Sequence, residues 1–114
     1  MHVGRILAIL LLLTACGGDE ANPPEGCTDP VAATTVELAD FAFRPDCLSA
    51  DAGATITLDN TGDAPHTFTV TGTDVDFDLD AGSSVDARLS GVEPGAYVVT
   101  CTYHPQMEAT LTVG

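Results

Sequence analysis

The sequence after residue 31 predicts an all-β protein, folded as a sandwich of two packed sheets. Short segments alternate apolar and polar residues with a period of two, which is the pattern of half-buried strands. Turn-forming residues separate these segments about every 8–12 residues, and no stretch has a helical period. The chain has 114 residues, which is enough for one domain. We place that domain at residues 32–114.

Seven segments carry this alternation, and each has one apolar face. The clearest is DVDFDLD, where aspartates hold every outer position and protect an edge strand against aggregation. The same aspartates do not form an EF-hand calcium loop, because Leu79 and Val85 stand where that loop needs Gly and Glu. Turn signals lie at residues 51–53, 60–62, 81–82 and 93–95. In chain order, the positions predicted to face inward are Val36, Leu38, Ile56, Leu58, Phe68, Val70, Val75, Phe77, Leu79, Val85, Ala87, Leu89, Tyr97, Val99, Cys101, Ala109, Leu111 and Val113.

Residues 1–15 are typical of an export signal. A basic residue precedes an apolar run that is too short to span a bilayer, since a spanning helix needs about 20 residues. The run ends in Leu-Thr-Ala-Cys, which resembles the bacterial lipobox, so we expect lipidation of Cys16. The protein would then be exported and lipid-anchored to the cell envelope, on its periplasmic or extracellular face. The alternative is an ordinary signal peptide cleaved near Ala15.

Residues 16–31 are small, polar and proline-bearing, which predicts a flexible tether between the lipid and the domain. The mature chain would carry all 17 acidic residues but only two basic ones, Arg44 and Arg88. Its net charge is therefore 2 − 17 = −15. This charge excludes nucleic acid and anionic lipid surfaces as favourable partners. We expect a monomer that meets the membrane only through its N-terminal lipid.

Three cysteines remain after Cys16, and an odd number in an exported protein leaves one to explain. The simplest pairing joins Cys27 to Cys47 and leaves Cys101 free. The alternative is an immunoglobulin-like disulfide between Cys47 and Cys101. That fold favours a buried Trp, which this chain lacks. It also favours a Tyr two residues before the second Cys, whereas Tyr97 stands four before it.

The stretch CTYHPQM places a thiol, an imidazole and a thioether within seven residues, as Cys101, His104 and Met107. His66 opens an earlier strand and Cys101 closes a later one, so both point inward and can meet at one pole of the sandwich. Two His, one Cys and a weak axial Met are the ligands of a blue-copper electron-transfer site. Zinc fits less well, because structural zinc sites prefer more thiolates and thioethers bind zinc poorly.

These residues resemble the cupredoxins, the small blue copper proteins, over residues 36–113. The resemblance lies in FAFRPDCL, GATITLDNTGDAPHTFTV and PGAYVVTCTYHPQMEATLTV. The short C-x-x-H-x-x-M loop is of the amicyanin type, and plastocyanin-like members have a longer gap before the Met. The resemblance implies a Greek-key β-sandwich of about seven to eight strands. It also implies one copper ion, held by His66, Cys101 and His104 with Met107 as the axial ligand.

The resemblance also assigns roles to two neighbours of these ligands. Thr67 stands where many cupredoxins have Asn, so its hydroxyl would tie the two ligand loops together while its N–H points at the Cys101 sulfur. Tyr103 stands where some cupredoxins have Pro, so its N–H would be a second donor to that sulfur.

The function implied is electron transfer between redox partner proteins by a carrier that is not an enzyme. The electron would pass through His104, which should lie nearest to solvent because it sits in the middle of the ligand loop. Two alternatives stay open. One is a copper chaperone or scavenger with the same ligands, and the other is a metal-free immunoglobulin-like binding module.

Overall fold

The computed structural model describes residues 27–114. The export signal, Cys16 and residues 16–26 of the expected tether lie outside this range. The described residues form ten strands and no helix. This range therefore contains no helix that could cross a bilayer. The strands are β1 Val31–Ala32, β2 Thr35–Ala39, β3 Ala42–Arg44, β4 Cys47–Ala50, β5 Thr55–Asn60, β6 His66–Val70, β7 Asp76–Leu79, β8 Ser84–Arg88, β9 Gly95–Cys101 and β10 His104–Val113.

The strands pack as two mixed sheets, which confirms the all-β sandwich. One sheet has six strands in the order β1-β4-β10-β9-β6-β7, and the other has four in the order β3-β2-β5-β8. The predicted inward positions line the space between the sheets, where most are fully buried and Phe77, Val85 and Tyr97 are partly buried. Phe43 and Phe68 meet across this space edge to face, with ring centroids 5.9 Å apart. Burial of these apolar side chains is the main force that holds the two sheets together.

The aspartate-rich segment forms β7, which is an edge strand of the larger sheet, as the sequence predicts. Val75 and Leu79 are buried while Asp76 and Asp78 are exposed. Leu79 is the register partner of His66 on β6. The strand therefore covers one flank of the residues predicted to bind metal.

Three neighbouring strands position the predicted ligands. Strand β6 pairs with β9, and β9 pairs with β10. Cys101 and His104 are register partners across a two-residue turn. The next pair is Glu108 with Thr100, so β10 advances four residues while β9 retreats one. Three residues, 105–107, therefore bulge out of the ladder, and such a bulge redirects side chains away from the regular alternation.

The segment TTVELADFAF does not form one strand, as its alternation suggests, but a hairpin. Strands β2 and β3 are joined by Asp40 and Phe41, and Phe41 has a φ of 71°. This left-handed conformation is rare for a large residue and occurs where surrounding structure holds it in place. Asp is a common turn residue, but a single Asp followed by Phe, with no Gly, Pro or Asn beside it, does not by itself predict a turn.

Strand β4 is also missing from the sequence prediction, because it is short and offers one fully buried apolar side chain, Leu48. It lies between β1 and β10 and pairs in parallel with both. Such pairing depends on residues distant in sequence, so it cannot be predicted from the apolar pattern of four residues. Together with β1 and β3, it brings the count above the expected seven to eight strands.

A disulfide joins Cys27 to Cys47, with their Cα atoms 5.3 Å apart, and Cys101 is a free, buried cysteine. The immunoglobulin-like pairing of Cys47 with Cys101 is therefore wrong. The disulfide fastens the residues before β1 to the first residue of β4. Residues 27–31, which the sequence analysis assigned to the tether, are therefore attached to the sandwich by the disulfide and by Val31 in β1.

Candidate metal centre

The four predicted ligands lie at the pole of the sandwich where β6, β9 and β10 meet. His66 is the first residue of β6, Cys101 the last of β9 and His104 the first of β10. Met107 lies in the bulge that follows His104. His66, Cys101 and Met107 are at most 1% exposed, whereas His104 is partly exposed. Of the four predicted ligands, His104 is the most exposed, in agreement with its expected position nearest to solvent.

The donor atoms of three of these residues converge. One atom each from His66, Cys101 and His104 lies within 4.8 Å of the others. His66 Nδ1 is 3.9 Å from Cys101 Sγ, and the two imidazole centroids are 5.3 Å apart. An ion bound about 2.0 Å from nitrogen and about 2.3 Å from sulfur would place trigonal donors about 3.7 Å apart. The separation of His66 Nδ1 from Cys101 Sγ is close to this value, and the three donor atoms, which lie within 4.8 Å of one another, need to close only slightly around a single ion.

The chemistry of the donors distinguishes among metals. His104 Nε2 is buried and has no hydrogen-bond partner among the described residues, although buried polar atoms are nearly always paired. The site combines two imidazoles and one cysteine sulfur with a fully buried thioether close in sequence. This donor set fits copper better than zinc, because soft thiolate and thioether ligands suit Cu(I) and imidazole suits both oxidation states.

Thr67 connects the two chain segments that carry the ligands. Its backbone N–H donates to Cys101 Sγ at 3.3 Å. Its Oγ1 accepts the backbone N–H of Thr102 at 2.9 Å and contacts Thr69 Oγ1 at 3.0 Å. Thr67 is 3% exposed; its bond to the sulfur is buried, and its contacts with Thr102 and Thr69 are partly buried. One threonine thus makes both contacts that the resemblance to cupredoxins implies for this position.

The predicted hydrogen bond from the Tyr103 N–H to Cys101 Sγ is not formed. Among the described residues the sulfur accepts one backbone N–H, that of Thr67. The reason is the turn between β9 and β10, in which Tyr103 occupies an outer position and its hydroxyl donates to Asp78 on β7. That carboxylate raises the pKa of the Tyr103 hydroxyl. The Tyr103 ring still flanks His104, with centroids 6.5 Å apart.

Two residues that the sequence did not single out, Asp40 and Phe41, complete the site. The Asp40 carboxylate lies 3.1 Å from His66 Nε2. The Phe41 ring meets the His104 ring edge to face at 4.8 Å and the His66 ring at 6.3 Å. Phe41 is 62% exposed, so it covers the two imidazoles from the solvent side. A sequence signal for Asp40 was available, because this charged residue has the same phase in the alternation as the inward-facing Val36 and Leu38.

A family model of the cupredoxin-like domain matches residues 5–113. The chain belongs to the cupredoxin-like domain family. A curated relative of this cupredoxin is the methylamine utilization protein MauL from Methylophilus methylotrophus, which is 29% identical over 112 residues. The match covers 95% of this chain and 64% of MauL. The chain therefore spans less than two thirds of the length of that relative.

Solved structures share the fold of this cupredoxin at lower identity. A mutant amicyanin in its Cu(I) form superposes with a TM-score of 0.59 at 22% identity, covering 84% of this chain and 100% of the other. The Cu-containing nitrite reductase from Thermus scotoductus SA-01 gives 0.59 at 22% identity, covering 83% of this chain but 27% of the reductase. Family membership and the donor set together support one copper ion at this site.

Proposed function

We propose that this cupredoxin is an exported electron carrier that exchanges single electrons with redox partner proteins through one copper ion. The proposed ligands are His66, Cys101 and His104, with Met107 as the axial donor. The observation that carries the proposal is the convergence of three donor atoms within 4.8 Å at a buried pole of the sandwich. Blue-copper proteins use this ligand set for electron transfer.

Bound copper would supply a couple between Cu(I) and Cu(II), and the surrounding residues would hold one geometry for both states. Cys101 and His66 are fully buried, which excludes water from the donors. Thr67 fixes the sulfur through its N–H and fastens the β9–β10 turn through its hydroxyl. Pro65 and Pro105 restrict the backbone beside the two histidines. A site held in place before metal binding needs little rearrangement when the electron moves.

The electron would enter and leave at His104, the partly exposed ligand. Phe41 and Tyr103 stand beside its ring and are 62% and 48% exposed. A redox partner that touches these rings comes close to the metal without exposing it to water. We assign no chemical reaction to the chain, because the likeness to nitrite reductase covers 27% of that enzyme. The fold alone does not carry over its activity.

The proposed location depends on the N-terminal sequence. Residues 1–15 would direct export and Cys16 would carry the lipid, with the tether ending at the Cys27–Cys47 disulfide. Disulfides persist in oxidising compartments, which supports a periplasmic or extracellular location. The strongly acidic surface supports a monomer attached to the membrane by its lipid alone.

The test of the copper site is a titration of the metal-free protein with Cu(II), followed by visible absorption. An intense band at about 600 nm is expected from the thiolate–copper bond of this site class. The variant Cys101→Ser should lose the band, because it lacks the thiolate. The double variant with Cys27→Ser and Cys47→Ser is the matched control and should keep it. A band that survives in Cys101→Ser would contradict the proposed ligand set.

A chelator competition separates the electron carrier from a copper chaperone. An electron carrier should retain its copper through repeated oxidation and reduction in the presence of a Cu(I) chelator. A chaperone should release its copper to the same chelator under the same conditions. Rapid release from the wild-type protein would favour copper delivery over electron transfer.

A further inference from the structure

The two nitrogens of the His66 ring face different partners. Nδ1 faces the Cys101 sulfur at 3.9 Å, and Nε2 faces Asp40 Oδ1 at 3.1 Å. His66 is fully buried, while the Asp40 side chain is 33% exposed. An ionised carboxylate is an acceptor only. The proton of a neutral His66 ring therefore belongs on Nε2, which leaves the Nδ1 lone pair directed at the metal position.

The carboxylate of Asp40 is itself held in place by backbone donors. The N–H of Asp63 lies 3.0 Å from both carboxylate oxygens, and the N–H of Ala64 donates to Oδ1 at 3.2 Å. These bonds, with that of Asp63 first, lower the pKa of Asp40, and its contact with His66 lowers it further. The acceptor is thus fixed against the loop that leads into β6, and it stays charged at neutral pH.

The absence of a side chain at Gly62 leaves space for the Asp40 carboxylate. A Cβ atom at Gly62 would lie 2.1 Å from Asp40 Oδ1 and 2.8 Å from its Cγ. Any residue larger than glycine would therefore push the carboxylate out of its position. Asp40 is followed by Phe41 in the left-handed conformation. The carboxylate oxygen of Asp40 is thus held against His66 Nε2 by three features. These are the β2–β3 turn, the space at Gly62 and the two backbone N–H donors.

We propose that Asp40 is a positioning residue of the copper site, which holds His66 in the Nε2–H form and favours Cu(II) by its negative charge. This inference rests on the proposed copper function. A carboxylate bonded to the distal nitrogen of a ligating imidazole fixes the ring and raises its basicity. The charge stabilises the more positive oxidation state, so Asp40 lowers the reduction potential. Loss of such a partner typically weakens metal binding 10–100-fold.

The first experiment measures the reduction potential and the Cu(II) affinity of the Asp40→Asn variant. Its potential should rise and its Cu(II) affinity should fall about 10–100-fold, with a smaller change for Cu(I). The matched control is Asp80→Asn, which removes one exposed carboxylate next to Leu79, the register partner of His66. A shift in Asp40→Asn that is no larger than the shift in Asp80→Asn would overturn the proposal.

Gly62→Ala provides a second variant that retains Asp40 but displaces its carboxylate. It should raise the potential in the same direction as Asp40→Asn. This variant remains informative if Asp40→Asn fails to fold. A potential in Gly62→Ala equal to that of the wild-type protein would also count against the proposal.

The second experiment uses the metal-free protein, so it does not depend on copper binding. Long-range proton–nitrogen NMR correlations, recorded at mildly alkaline pH, identify the tautomer of His66. The wild-type ring should carry its proton on Nε2, and Asp40→Asn should lose this strict preference. A proton on Nδ1 in the wild-type protein would overturn the inference. Failure of the Cu(II) titration would instead reject the proposed function.

Discussion

Replacing Thr67 with valine tests the connection between the two ligand segments. Valine keeps the β-branched shape but removes the hydroxyl that accepts the Thr102 N–H at 2.9 Å. The N–H of residue 67 remains and can still donate to the Cys101 sulfur. The substitution therefore separates the connection between the loops from the hydrogen bond to the sulfur.

The expected destabilisation follows from the lost acceptor. A buried N–H left without a partner costs about 1–3 kcal/mol. Thr102 lies in a turn and its side chain is exposed, so water can replace part of the bond, and about 1 kcal/mol is expected. Divided by a urea m-value of about 1–3 kcal/mol per M, this lowers the unfolding midpoint of the metal-free protein by about 0.3–1 M.

Two further variants serve as controls for this measurement. Thr67→Ser keeps the hydroxyl and should restore most of the stability. Thr57→Val removes an exposed hydroxyl that donates to Asp86 at 3.0 Å in the other sheet, and surface changes of this kind usually stay within about 0.5 kcal/mol. If Thr67→Val is as stable as Thr57→Val, the Thr67 hydroxyl does not hold the loops together.

Met107→Leu should keep the ~600 nm band of the proposed copper site and raise the reduction potential of the copper, because a weak axial donor that favours Cu(II) is lost. Voltammetry of the variant and the wild-type protein in one buffer measures this change. A variant unable to bind copper would contradict the axial role. The double variant with Cys27→Ser and Cys47→Ser opens a disulfide with a sequence separation of 20. Its free energy of unfolding should fall by about 3 kcal/mol by the loop-entropy estimate, as measured by urea unfolding without reductant. An unchanged unfolding midpoint would show that the disulfide adds no stability.

The fold class and the phase of most strands could be predicted from the amino-acid sequence. Period-two alternation is a local property, so it correctly places Phe68, Val99 and Leu111 in the core. The ligand motif is local as well, because Cys101 and His104 are separated by a two-residue turn. His66 is 35 residues before Cys101, yet its strand phase already predicted that it faces the interior.

The residues that surround the proposed ligands could not be predicted in this way, because they depend on tertiary packing. Asp40 precedes His66 by 26 residues, and its contact arises because the β2–β3 turn meets the loop before β6. The parallel pairing of β4 with β10 is equally remote in sequence. For Tyr103, the sequence predicted a sulfur contact, while the neighbouring β7 strand offered Asp78 to its hydroxyl instead. Alternation and motif spacing record which face of a strand a residue occupies. They contain no information on which distant loop packs against that face, because that choice depends on the closure of the whole sandwich.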